Sequence, residues 1–74
     1  MQLIVTFAST AAAMAMEAYC RSAGVPGRII PVPTQISAGC GLAWSAPLDS
    51  KLVIEQALLD CQLAAVGLHE LELP

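Results

Sequence analysis

Charge is scarce in this chain, and so are aromatic rings. Of 74 residues, 12% are charged and 4% aromatic, with three basic residues against six acidic ones and a net charge of −3. Three scattered cations cannot neutralise a run of phosphates, which excludes a nucleic-acid binder held by electrostatics. Little charge combined with 57% apolar residues is also the reverse of a disordered composition. A long hydrophobic run is missing. A membrane span needs about 20 apolar residues, whereas the nearest candidate, Ala11 to Met16 with its flanks, stops at Glu17 and is built of alanine and methionine. No Lys or Arg precedes that stretch, so no secretory signal is expected, and the expected location is cytoplasmic. Cysteine is sparse as well. An odd count at irregular spacing (Cys20, Cys40, Cys61) speaks against a disulfide framework and for reduced thiols.

What is present amounts to one domain, residues 1–74, with no linker and no internal repeat. A core this small seldom supplies more than roughly 3–5 kcal/mol. With apolar residues in surplus, some apolar surface is expected to meet a partner, as a homo-oligomer or as a docking face.

Gln2 to Phe7 is apolar on both parities, which predicts a strand central in its sheet. Ser9 or Thr10 supplies a helix N-cap. Ala11 to Ala23 is rich in helix formers, with Ala13, Met16, Cys20 and Ala23 at helical spacing toward the sheet, and Gly24 ends it. Met14 and Met16 both read as helix packing. Arg28 to Val32 predicts a second strand; Pro31 and Pro33 place it at a sheet edge, because proline cannot donate to a ladder. Leu42 to Ala46 predicts a third strand. A second helix opens at Pro47-Leu48-Asp49, capped by Asp49 or Ser50, with Ile54, Ala57, Leu58 and Cys61 as its buried stripe. Ala65 to Leu73 predicts the last strand. The order βαββαβ, with two helices on one face of a four-stranded antiparallel sheet, is an α+β fold of the ferredoxin-like kind.

The segment richest in chemical implication is Ile36-Ser37-Ala38-Gly39-Cys40-Gly41-Leu42. A cysteine between two glycines has little cover from its neighbours. Glycines also permit backbone angles that turn successive N–H groups inward, an arrangement that stabilises an anion such as a thiolate, a persulfide or a selenolate. The plainer reading is a tight turn in which the small residue is cysteine. Cys20 and Cys61 lie on apolar stripes, where cysteine packs as a small hydrophobe. The single His69 shares parity with Leu71 and Leu73 and reads as a packed or edge histidine. Arg28 reads as an exposed edge-strand charge that discourages sheet-to-sheet aggregation. Trp44 reads as core or as part of an exposed apolar face. Glu17 and Asp60 read as single helix-surface charges. There are no paired carboxylates, no Ser/His/Asp set and no phosphate loop. The close pair of ligands usual in a metal site is missing.

The run Ile30-Pro31-Val32-Pro33, then Ile36-Ser37, then Gly39-Cys40-Gly41-Leu42 resembles the selenium/sulfur (Se/S) carrier protein-like family, first catalogued as a domain of unknown function. Val5-Thr6-Phe7 with Ser9-Thr10, Glu17 and Ala23-Gly24-Val25 extend the resemblance over nearly the whole chain. The resemblance implies a small protein of selenium or sulfur trafficking, with Cys40 as the carrier thiol and Ser37, Gly39 and Gly41 as its loop. Two positions depart from the pattern. Thr34 follows Pro33 where such proteins often have a basic residue, and Trp44 and Ser45 occupy a stretch that often carries another. Both departures remove positive charge that would favour a thiolate.

Three functions follow as expectations. In the first, Cys40 accepts sulfur or selenium as a persulfide or selenosulfide and hands it to another protein, with donor and acceptor proteins as partners. Such a protein is a carrier rather than an enzyme and needs no cofactor. The second is an interaction or regulatory module without chemistry. The third, a metallochaperone, rests on fold analogy only.

Overall fold

The computed structural model describes residues 1–34, 36, 41–61 and 65–72. Its elements run β1 (Gln2–Phe7), α1 (Thr10–Ala23), β2 (Arg28–Pro31), β3 (Leu42–Pro47), a single 3₁₀ turn (Leu48–Ser50), α2 (Lys51–Asp60) and β4 (Ala65–Leu71). The order βαββαβ is the one expected. The four strands form one antiparallel sheet in the order β2-β3-β1-β4. β1 is interior and β2 is an edge, as their apolar parity and prolines require.

Alternation along β1 sorts its side chains onto two faces. Leu3, Val5 and Phe7 join Trp44 and Ala46 of β3, Ala13, Met16 and Cys20 of α1, and Ile54, Ala57 and Leu58 of α2 in the main core. Both helices therefore pack against the same sheet face. On the other face, Ile4 and Ala43 are covered by Ile36, with Ile30, Val32 and Leu71 around them.

Local chemistry explains where α1 begins and ends. The Ser9 side chain accepts a hydrogen bond from Ala12 N at 3.1 Å, and Gly24 closes the helix in the left-handed region at φ 73°. Ala13, Met16 and Cys20 are buried along the expected stripe, but Ala23, its expected fourth member, is exposed in the last turn. Met14 is not; it is 48% exposed, because it lies a half-turn of helix from Met16.

The second helix departs further from expectation. Pro47 fixes the chain for a 3₁₀ turn, α2 starts only at Lys51, and no Ser50 side-chain bond caps it. Ser50 is instead buried at 8% exposure. The helix ends at Asp60, so Cys61 occupies its C-cap and is only half-buried rather than part of the stripe. Strand β2 is also shorter than expected, ending at Pro31, and β4 runs to Leu71; Leu73, its expected end, lies outside the described residues.

Candidate functional site

The candidate site is framed by the β2–β3 hairpin. Its strand pairs run from Arg28–Ser45 through Ile29–Trp44 and Ile30–Ala43 to Pro31–Leu42. Past that last pair, Val32 N donates to Gly41 O at 3.0 Å, which carries the antiparallel connection one step further. Ile36 N donates to Pro33 O at 3.0 Å, closing a turn. The Ile36 side chain then packs over Ile4 and Ala43 at 9% exposure. Two described residues that flank Cys40 in sequence are thus fixed: Ile36 by its apolar side chain on the helix-free sheet face, and Gly41 by its carbonyl, which accepts from Val32 N. Gly41 is exposed, with open space where a β-carbon would stand. Cys40, Ser37 and Gly39 lie outside the described residues.

Little positive charge lies near this end of the hairpin. Arg21 pairs with Glu17 at 3.6 Å and Lys51 with Glu70 at 3.5 Å. Arg28 is exposed on the edge strand, three residue pairs from Pro31, or about 10 Å along the strand. Trp44 points into the main core at 3% exposure. Ser45 donates through Oγ to Gln2 Oε1 at 3.3 Å. Neither residue replaces the basic group whose place it takes in the family pattern.

The other two thiols are poor nucleophiles by position. Cys20 is fully buried, and desolvation, followed by the nearby Cys61 thiolate, pushes its pKa up to about 11. Cys61 is raised as well, first by desolvation and then by the Asp60 carboxylate. Both shifts lower the fraction of thiolate, the form that attacks.

His69 is half-buried on the outer strand β4, paired with Ile4. Its ring lies over Gly67, where a β-carbon would come within 2.8 Å of Nε2, so it is the packed edge histidine expected. Among the described residues, no three His, Cys, Asp or Glu side chains gather as a metal site requires. Also among the described residues, no helix is long and apolar enough to cross a membrane.

Sequence reasoning missed two features. Asp60 is more than a lone surface charge: it accepts from Tyr19 OH at 2.9 Å and from Gln56 Nε2 at 2.9 Å. Ile36 is the plug of the second sheet face, and its isolation between polar and small residues was the one available signal.

An α+β domain whose sequence carries a Gly-Cys-Gly element between β2 and β3 is the class that these observations define. The chain matches the model of the family described as "Putative Se/S carrier protein-like" over residues 2–70, and it belongs to that family. No curated protein and no solved structure matches it.

Proposed function

We propose that this protein is a sulfur or selenium carrier that holds the chalcogen on Cys40, as a persulfide or selenosulfide, and passes it to a partner protein. The observation that carries the reading is the family match across residues 2–70, which includes the Gly39-Cys40-Gly41 element. Three facts support the choice of thiol. Cys20 is buried and Cys61 is raised in pKa, whereas Cys40 adjoins an exposed Gly41.

Loading is a thiol exchange that needs no oxidant. The Cys40 thiolate attacks the terminal sulfur of a donor persulfide, the donor S–S bond breaks, and the donor leaves as a thiolate. A terminal selenium on a donor selenosulfide transfers in the same way. Unloading is the reverse exchange: an acceptor nucleophile takes the terminal atom and Cys40 leaves as thiolate. Ser37, Gly39 and Gly41 form the loop that presents the thiol, with backbone N–H groups as the stabilising donors in place of the missing basic residues. The protein acts as a single domain over residues 1–74, in the cytoplasm, without a cofactor. We also read the fold as ferredoxin-like, on the strength of the βαββαβ order and of both helices lying on one sheet face.

Intact-mass measurement after incubation with a small-molecule persulfide tests the proposal. The wild-type chain gains the mass of one sulfur, reversibly by thiol, and Cys40→Ser does not. Equal uptake by Cys40→Ser ends the proposal.

A second reading, an interaction module without chemistry, draws on Leu52 and Leu59 of α2, which are 81% and 73% exposed. It predicts that alkylation of Cys40 leaves complex formation unchanged.

A further inference from the structure

The outward side of α2 combines apolar exposure with uncompensated negative charge. Leu52, Gln56 and Leu59 share one face by helical spacing. The two leucines are 81% and 73% exposed, and the adjacent Val53 is 49% exposed. Beside this ridge runs a groove of about 290 Å³ between the two helices, lined by Tyr19 and Val25 on one side and Val53, Gln56 and Asp60 on the other. The volume sits at the lower edge of small-molecule sites, which hold roughly 300–1,000 Å³. An open groove beside exposed leucines suits inserted side chains better than an enclosed ligand.

Charge decides what kind of side chains. Asp60 stands at the groove, and Glu55 lies on the other flank of the leucine ridge. Among the described residues, neither meets a cation: Lys51, the one basic residue of α2, is tied to Glu70, and Arg21 is tied to Glu17. Asp60 is held in place by two neutral donors, Tyr19 OH and Gln56 Nε2, one on each oxygen. A carboxylate offers about four lone-pair sites, so both oxygens keep room for a further, charged donor. A second copy of this chain fits the surface poorly, because pairing α2 on α2 would bring Glu55 and Asp60 of both copies into one interface.

We propose that the α2 ridge and the α1–α2 groove are a docking surface for a partner protein segment that presents aliphatic side chains flanked by lysine or arginine. The apolar side chains cover Leu52 and Leu59 and enter the groove at Val53, and a basic residue pairs with Asp60. This proposal is independent of Cys40 chemistry.

The test uses the full chain labelled for NMR and two synthetic peptides of equal length. One carries leucines at helical spacing with lysines elsewhere; the other replaces the lysines with glutamates. The leucine–lysine peptide shifts the amide signals of Leu52, Val53, Gln56 and Asp60 saturably, and the leucine–glutamate peptide does not. Asp60→Asn weakens binding by roughly two- to five-fold, as expected of an exposed ion pair, and Leu52→Ser with Leu59→Ser weakens it further. Equal binding of the two peptides, shifts centred elsewhere, or no saturable shift overturns the proposal. So does a wild-type dimer in sedimentation that the two serine substitutions convert to monomer, since a second copy would then be the occupant.

Discussion

The indole nitrogen of Trp44 stands 2.5 Å from the point that a β-carbon on Gly27 would occupy, and the Ser45 carbonyl oxygen stands 2.7 Å from it. Gly27 also has φ 135°, a backbone conformation that residues with a side chain rarely adopt. The turn into β2 and the largest ring of the core are therefore fitted to each other. Gly27→Ala is predicted to cost about 3 kcal/mol, through backbone strain and overpacking together, read as a lower urea midpoint at unchanged slope. An unchanged midpoint would show that the indole moves aside freely.

Ile36, four residues before Cys40, is seated on Ile4 and Ala43, on the sheet face opposite the helices. Ile36→Ala is predicted to cost about 2 kcal/mol, the lower end for a truncated core aliphatic. It should also change the alkylation rate of Cys40 while leaving that of Cys20 in proportion to the loss of stability. If both thiols respond only in proportion to stability, the anchor has no bearing on the site.

Cys20 couples stability to pH. Burial raises its thiol from 9.0 to about 11, so on raising the pH the unfolded chain ionises first and binds fewer protons than the folded one. The resulting stability is fully present below pH 9 and is lost as pH climbs toward 11. Urea midpoints should fall more steeply across that window for the wild type than for Cys20→Ala, with the Tyr19 and Cys61 titrations common to both. Parallel curves would contradict the assignment.

How far the fold could be read in advance depended on whether the governing contacts were local. Apolar parity placed β1 inside the sheet, prolines placed β2 at its edge, and Ser9 and Gly24 marked the ends of α1, because strand pattern, missing donors and caps act within a few residues. Contacts between distant positions were hidden. Tyr19 and Asp60 are 41 residues apart, and nothing near either residue announces the other. Ile36 reads as an ordinary loop residue until the helix-free face needs covering. The stripe assigned to Cys61 failed because it assumed that the helix outlasts Asp60. For the site, the Gly-Cys-Gly element is visible as a motif, and the structure adds that Cys20 is buried, while Cys40 lies outside the described residues.

The most direct measurement is the alkylation rate of each cysteine as a function of pH, followed by peptide mapping. The account predicts that Cys40 reacts fastest and with a midpoint below that of a free thiol, while Cys20 stays slow until about pH 11. Cys40 reacting as sluggishly as Cys20, with no lowered midpoint, would contradict it.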